Sequence, residues 1–335
     1  MNRFATLVAR GVADQFSPRH RASALRRLRT TPAPVRRGLH LLPVAFLAIL
    51  ASTVCAQNTN VFELRDGDRV VFLGDTFFER EQTYGHIEYL LTTHYPERHV
   101  TFRNLGWSAD TPLGLSRSGF GFPTEGLHRL RTNDLVLAKP TVAFLSYGMT
   151  ASFAGAAGLS NFVAEMEKLM DLVQEAAGTN PVRFVLLSPI RHERHPPPMP
   201  DPARHNEDLQ RYTDALRQLA GRRQAHFVNL FEALNPRNFP PGLPPLTDDG
   251  IHLTEHGYRR AAEAIGAAFR WESHIWRVGI LANGQVREGS FGVTVHELSR
   301  TTNSARLVAT LEQLVPPPDP ALTRSNRFGS SPGRV

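Results

Sequence analysis

The chain has 335 residues, of which 41% are hydrophobic and 21% are charged, and its formal net charge is +7 at pH 7. This composition is typical of a globular protein and excludes a chain that is disordered throughout. The single cysteine excludes both an intramolecular disulfide framework and a zinc site built from several thiolates.

The positive charge is concentrated at the N-terminus. Residues 1–38 contain nine arginines and one acidic residue, whereas the rest of the chain contains 29 basic and 30 acidic residues. A basic patch that could attract a polyanion is therefore not expected in the folded part of the chain, and we predict no nucleic-acid partner.

An apolar run of 16 residues, 39–54, follows these arginines, and Val54-Cys55-Ala56 is typical of a signal-peptidase cleavage site. We predict a signal peptide with a basic N-terminal extension over 1–56, cleavage near Ala56, and a secreted or periplasmic mature chain. Because the run is short and contains Pro43, we expect no stable membrane span after cleavage. An uncleaved membrane anchor is the alternative.

Beyond residue 57, short apolar strands alternate with amphipathic helices. The predicted strands are 69–74, 99–103, 141–146, 183–188 and 226–230, and the predicted helices are 77–94, 124–138, 160–177, 206–223 and 254–269. Most of these strands are continuous apolar runs, which is typical of a parallel sheet with both faces covered. We therefore predict a three-layer α/β/α domain over 57–270.

The pattern changes beyond residue 270. Two runs, 276–281 and 285–295, flank Asn283-Gly284, which predicts a β-hairpin with a tight turn. Residues 304–314 are predicted to form a short helix. We assign 271–315 to a small C-terminal β/α appendix and 316–335, which is rich in Pro, Ser, Arg and Gly, to a disordered tail.

Residues with groups that could take part in catalysis follow several of the predicted strands. Three segments come after the first three strands, and a fourth precedes the last helix; they are Gly74-Asp75-Thr76, Asn104-Leu105-Gly106, Gly148-Met149-Thr150 and Asp249-Gly250-Ile251-His252. Loops at the carboxyl ends of parallel strands gather at one edge of the sheet. A hydroxyl, backbone N–H groups at glycine turns and an Asp-x-x-His pair are the components of an acyl-transfer site.

In the order and spacing of these segments, the sequence resembles the SGNH/GDSL-type esterase family over about residues 68–269. The resemblance implies a flavodoxin-like fold and the hydrolysis of ester bonds, often acetyl or acyl esters of sugars, polysaccharides or lipids. It implies Thr76 as the nucleophile, His252 as the general base and Asp249 as its partner, with Gly106 and Thr150 at the oxyanion hole. Two positions depart from the family pattern, because Thr76 replaces a serine and Thr150 replaces an asparagine.

We predict an ester hydrolase that acts on O-acetyl or other acyl esters of a small molecule or polysaccharide, without a cofactor or metal. Asn104, Trp107 and Asn206 are the predicted substrate contacts. The alternative is a binding or scaffold protein without activity, in which the Thr76 hydroxyl only caps the following helix. Ser108 is a weaker candidate for the nucleophile, because the sequence around it lacks the second glycine of a nucleophile elbow.

His192 and His195 form a His-x-x-His pair in a loop rich in arginine and proline. No third ligand is evident in the sequence, so we predict no zinc site there. His205 and Asn206 are predicted to fix this loop onto the next helix.

Overall fold

The computed structural model describes residues 5–9, 61–271, 277–281, 285–286, 290, 292–300 and 305–311. The predicted cleavage site, the tail 316–335 and all of the predicted signal peptide except residues 5–9 lie outside these ranges. No helix in the described part of the chain is long and apolar enough to cross a membrane.

A five-stranded parallel sheet forms the centre of the fold. In chain order, the strands of the structure are β1 (Ala5–Ala9), β2 (Arg69–Gly74), β3 (Thr101–Asn104), β4 (Val142–Ser146), β5 (Arg183–Leu187), β6 (His226–Val228), β7 (Val293–Arg300) and β8 (Ala305–Leu311). The central sheet has the order β3-β2-β4-β5-β6, and the other three strands form a separate antiparallel sheet in the order β1-β8-β7. Counted within the central sheet, the order is 2-1-3-4-5, which is the doubly wound order of flavodoxin-like folds.

Helices cover both faces of the central sheet. They are α1 (Thr76–Tyr84), α2 (His86–His94), α3 (Pro123–Arg129), α4 (Val136–Ala138), α5 (Met149–Ser152), α6 (Leu159–Ala176), α7 (Ala203–Arg222), α8 (Leu230–Ala233) and α9 (Glu255–Ala268). Alternate residues of each strand enter two separate apolar clusters: Phe72 packs with residues of α1, α2 and α9, whereas Leu73 packs with residues of α6 and α7. The predicted three-layer α/β/α fold is confirmed.

The predicted helix at 77–94 is two helices, α1 and α2, that meet at Gly85. Gly85 has a φ of +66° and its N–H donates to the Glu81 carbonyl, which is how a glycine often ends a helix. The single-helix prediction was wrong because the apolar spacing continues through the break. Phe78 of α1 and Ile87 of α2 are both fully buried in the same cluster.

The predictions for the C-terminal appendix are partly wrong. An antiparallel bridge joins Ile280 to Val286 on either side of the predicted turn, but the main hairpin lies farther along the chain, between β7 and β8. The predicted helix at 304–314 contains strand β8, which pairs with β7 on one side and with β1 on the other.

Glu81 is a buried carboxyl group on α1, beside the start of α2. Its Oε1 accepts the Ile87 N–H at 2.5 Å, whereas its Oε2 has no hydrogen-bond partner among the described residues. Burial raises the pKa of Glu81 to about 8. The folded chain therefore holds a proton that the unfolded chain releases near pH 4.5, so this contribution to stability is full at acidic pH and is lost as the pH rises through 8.

We expect Glu81→Gln to raise the melting temperature at about pH 8.5 and to leave it nearly unchanged at about pH 5, because an amide carries no charge at either pH. A gain of about 1 kcal/mol corresponds to about 2–4 °C in a domain of this size. Thermal unfolding followed by circular dichroism at both pH values measures the difference. Glu97→Gln, at an exposed position, is the control, and an equal gain at both pH values would contradict the titration of Glu81.

Candidate active site

A cleft of about 240 Å³ opens at the carboxyl edge of the central sheet. Three of the predicted site residues line it: Thr76, Thr150 and His252. Most of the other lining side chains are apolar or aromatic and come from several of the loops that follow the strands; they are Phe77, Tyr147, Met149, Phe153, Pro189, Ile190, Ile251, Leu253 and Tyr258. The fold thus brings the segments after β2 and β4 together with the segment before α9, as the sequence predicted.

Thr76 is the first residue of α1, and the residue before it holds the helix N-terminus. The Asp75 carboxylate accepts the Phe77 N–H at 3.1 Å and is the N-cap of the helix. The capping role that we considered for Thr76 therefore belongs to Asp75. Thr76 lines the cleft, and its hydroxyl is not the cap of α1.

The backbone N–H of Ala109 points at the Thr76 hydroxyl, and Oγ1 accepts it at 2.9 Å. Ala109 also lines the cleft and has a φ of +52°, in the left-handed region that residues with a side chain seldom adopt. This backbone conformation places an N–H group beside the oxygen that would attack a substrate. The carbonyl oxygen of an ester attacked by this hydroxyl would lie close to it, which makes the Ala109 N–H a candidate donor to the oxyanion.

Gly106 lies outside the lining of the cleft. Its N–H donates to the Asn104 side-chain oxygen at 2.9 Å, and a Cβ at this position would lie 2.3 Å from the Glu79 nitrogen of α1. The structure therefore gives Gly106 a packing role, whereas the backbone N–H that it places beside Thr76 Oγ1 is that of Ala109. Sequence reasoning missed Ala109 because an alanine carries no reactive group, and only its backbone conformation gives it a role.

We expect Ala109→Gly to stabilise the protein by up to about 1 kcal/mol, because glycine adopts a positive φ without the steric cost that alanine bears. Gly106→Ala, in contrast, should destabilise by more than about 1 kcal/mol, since its Cβ would overlap α1 backbone atoms. Urea denaturation of the two variants and the parent measures both changes. A loss of stability in Ala109→Gly would contradict the strained conformation at this position.

Thr150 lies on α5, at another wall of the cleft, and a buried carboxyl group connects α5 to α1. The backbone N–H groups of Met149 and Thr150 lie near the Asp75 carboxyl group and favour its charged form. Burial raises the pKa of Asp75 to about 7, and the nearby Asp110 raises it further, while these N–H groups and that of Phe77 oppose the change. Asp75 thus caps α1 and lies beside the start of α5, which carries Thr150.

Asp249 and His252 form a close hydrogen-bonded pair, with 2.6 Å between His252 Nδ1 and Asp249 Oδ2. The other carboxylate oxygen accepts the backbone N–H groups of Ile251 and His252 at 3.1 and 3.0 Å. Burial opposes ionisation of Asp249, but the hydrogen bonds from the His252 ring and from the two N–H groups hold the pKa of Asp249 below its ordinary value. An ionised Asp249 holds the proton of His252 on Nδ1, so that Nε2 carries the lone pair of a general base.

The predicted substrate contacts Asn104, Trp107 and Asn206 are not among the residues that line the cleft. The amide of Asn104 bonds backbone groups of α1 and of its own loop, and the amide of Asn206 holds the backbone N–H and carbonyl of His192. Trp107 is half exposed outside the cleft. Ser108 donates to the Glu79 carboxylate and also lies outside the lining.

The two histidines of the His-x-x-His pair have different partners. His192 bonds His205, and His195 contacts the Thr247 hydroxyl at 2.9 Å. Across the described ranges, no group of three or more His, Cys, Asp or Glu side chains is arranged to hold a metal ion.

Two solved structures of known proteins are similar to this chain. A gut microbial diltiazem-metabolizing enzyme has a TM-score of 0.57 and 19% identity, over 76% of this chain and 58% of its own. An acetylxylan esterase from Geobacillus stearothermophilus has a TM-score of 0.45 and 17% identity, over 63% and 98% of the two chains. This chain thus spans 58% of the length of the first of these structures, and at these identities the likeness is one of fold.

No curated protein matches the sequence. Residues 68–260, more than half of the chain, match the GDSL-like lipase/acylhydrolase family. The matched range begins just before β2, ends within α9 and includes every residue of the cleft described above. The protein therefore belongs to the GDSL-like lipase/acylhydrolase family.

Proposed function

We propose that this protein hydrolyses acyl esters, with Thr76 as the nucleophile, His252 as the general base and Asp249 as the residue that orients His252. One observation carries the proposal: Thr76, Ala109 and His252 all line a single cleft, in which the Thr76 hydroxyl accepts the Ala109 N–H. A nucleophile, an oxyanion donor and an oriented base are the groups that acyl transfer requires.

In the proposed reaction, Thr76 Oγ1 attacks the ester carbonyl carbon and its proton passes to His252 Nε2. The carbonyl oxygen becomes an oxyanion, which accepts hydrogen bonds from the Ala109 N–H and from the Thr76 N–H at the start of α1. The intermediate collapses, the ester bond breaks, and the departing alcohol takes the proton from His252. Water, deprotonated by the same His252, then cleaves the acyl-threonine, releases the carboxylic acid and restores the Thr76 hydroxyl.

We propose acetyl or another short acyl group as the acid part of the ester, and a carbohydrate as the alcohol part. The small volume and the apolar walls of the cleft favour a short acyl group. An aromatic ring at its rim, that of Phe153, is 65% exposed and could stack on a sugar ring. Comparing rates on chromogenic acetate and octanoate esters, and assaying acetate release from an acetylated polysaccharide, tests the two parts separately.

We also propose that the protein is exported to the periplasm or the medium. The arginine-rich start, the apolar run 39–54 and the small residue Ala56 before Gln57 support this. N-terminal sequencing of the protein from the medium, the periplasm and the membrane fraction tests it. A first residue at Gln57 supports cleavage, whereas an intact N-terminus in the membrane fraction supports an uncleaved anchor.

A binding or scaffold protein without activity is the second candidate function. Two observations favour it: Thr150 has no side-chain amide to offer an oxyanion, and within the described part of the chain no hydrogen bond joins Thr76 Oγ1 to His252. In this case the cleft would bind an ester or a sugar without cleaving it.

One assay separates the two functions. The full chain and its His252→Ala variant are compared on a chromogenic acetate ester, with Asp248→Ala as the matched control. Asp248 is exposed and pairs with Arg80, next to Asp249 in sequence. Hydrolysis that His252→Ala abolishes and Asp248→Ala preserves supports the hydrolase. Equal rates for the parent and His252→Ala would overturn it.

A further inference from the structure

A chain of polar side chains behind the cleft joins α5 to the loop that carries the general base. Its members are Ser152, His205 and His192, and none of them lines the cleft. We propose that His205 is a positioning residue, which fixes α5 and thereby Thr150 relative to Asp249 and His252. The kinetic test of this inference rests on the proposed function. The contacts that support the inference are independent of that function.

The short helix α5 needs contacts outside itself to stay in place. It has four residues, a single turn, and an isolated turn of helix is not stable in water. Its first N–H groups lie near the Asp75 carboxyl group, as described above. At its other end, the Ser152 hydroxyl donates to the Met149 carbonyl at 2.7 Å and lies 2.8 Å from His205 Nε2. His205, on α7, thus holds the end of α5 that Asp75 does not.

The hydrogen bonds define the proton positions on both imidazole rings once His205 is neutral. Ser152 gives its one hydroxyl proton to Met149, so His205 Nε2 donates to the Ser152 oxygen. In a neutral His205, Nδ1 then carries no proton and accepts a hydrogen bond from His192 Nδ1, 3.0 Å away, so that His192 carries its proton on Nδ1. A charged His205 would donate from both nitrogens and reverse the second hydrogen bond.

The surroundings of His205 keep it neutral. Burial lowers the pKa of His205 to about 4, and the nearby His192 lowers it further, whereas Asp208 opposes the change. The Phe153 ring stacks on His205, with 4.2 Å between the ring centres, which restricts its rotation. The contact therefore remains intact at neutral pH.

His192 connects His205 to the loop that carries Asp249 and His252. Asn206 holds its backbone on both sides, with 2.9 Å for each hydrogen bond. Its ring packs on Gly250, where a Cβ would lie 2.8 Å from ring atoms, and the N–H of the adjacent Glu193 donates to the Gly250 carbonyl at 2.8 Å. Because Gly250 lies between Asp249 and His252, the position of His192 determines the position of the turn that presents the general base.

The test uses three variants of His205 in the full chain. Alanine removes both contacts, asparagine can place an acceptor near the Nδ1 position facing His192, and glutamine can place a donor near the Nε2 position facing Ser152. We expect His205→Ala to lower kcat on a chromogenic acetate ester by about 10–100-fold with KM within about twofold, since small displacements of reacting groups have such effects. Asparagine and glutamine should each restore part of the loss.

His94→Asn is the matched control, because His94 is also partly buried and stacks on Trp271, outside the cleft. We expect it to lower the melting temperature and to leave kcat unchanged. A loss of kcat in His94→Asn as large as that in His205→Ala would overturn the inference, because both losses would then follow from stability. An unchanged kcat in His205→Ala would overturn it as well.

A second readout needs no activity. Nitrogen-15 NMR of the histidine rings should show a proton on Nε2 of His205 and on Nδ1 of His192, and His205→Ala should shift the Nδ1–H resonance of His252. If the parent does not hydrolyse esters, the proposed function fails, and these spectra still decide the inference. The opposite tautomers, or a His252 resonance that does not move, would overturn it.

Discussion

Thr76→Ala should lower kcat/KM for a chromogenic acetate ester by at least about 10³-fold, as removing the nucleophile does in serine hydrolases. Thr76→Ser should keep or raise the parent rate. Serine provides the same oxygen without the extra methyl group, which restricts χ1 and crowds the path of the ester carbonyl. Steady-state kinetics of the three proteins at one pH measures the order Ser ≥ Thr ≫ Ala, and a rate for the alanine variant equal to that of the parent would exclude Thr76 as the nucleophile.

Thr150→Asn, combined with Thr76→Ser, tests the oxyanion hole in the same assay. One side-chain amide donor in an oxyanion hole contributes about 10²–10³ in rate in a well-studied protease. A large gain over Thr76→Ser alone would show that the Thr150 hydroxyl replaces this donor poorly. If only the double variant were active, the parent would be a binding protein built on a former hydrolase.

Local sequence patterns predicted most of the fold because its central strands are continuous apolar runs. Strands β2 and β4 begin and end within a residue of the predicted bounds, since both are buried on both faces. Strand β8 was predicted as a helix, because Leu307, Val308 and Leu311 also suit helical spacing. Pairing with β1 and β7, which are distant in sequence, gives this segment its conformation, and no local pattern reports such pairing.

The candidate site, like the fold, could be predicted from the sequence only in part. Thr76, Asp249 and His252 could be predicted as candidates because their side chains suit the proposed chemistry and lie in recognisable segments. Ala109 was missed because its role depends on a positive φ. The prediction that His205 and Asn206 fix the loop of His192 onto the next helix is confirmed, but the sequence did not identify His192 as their partner, because no spacing rule reports which residues of two segments share a hydrogen bond.

Breaking the buried ion pair between Asp110 and Arg117 should have a large effect on the stability of the protein. It is buried, with side-chain exposures of 0% and 8%, and Arg117 Nε lies 2.6 Å from Asp110 Oδ2. Arg117 also donates to the Leu105 carbonyl, and Asp110 accepts the Ser116 N–H at 3.2 Å. These contacts close the loop that presents the Ala109 N–H to Thr76.

We expect Asp110→Ala to destabilise the protein by about 3–5 kcal/mol, because it leaves a buried guanidinium without its partner. This corresponds to a fall in the melting temperature of about 6–20 °C. The exposed pair Glu125–Arg129 is the control, and Glu125→Ala should cost less than about 1 kcal/mol. Urea denaturation of both variants measures the contrast.

The double variant Asp110→Ala, Arg117→Met separates the effect of the ion pair on stability from its effect on the conformation of the loop. Because the penalty of Asp110→Ala is mainly that of the unpaired charge, removing the charge as well should recover part of the stability. Activity should not recover with it, since neither variant chain can close the loop that holds the Ala109 N–H in place. Recovery of activity together with stability would show that Ala109 is positioned by other contacts, and additive losses of stability would contradict the coupling of the pair.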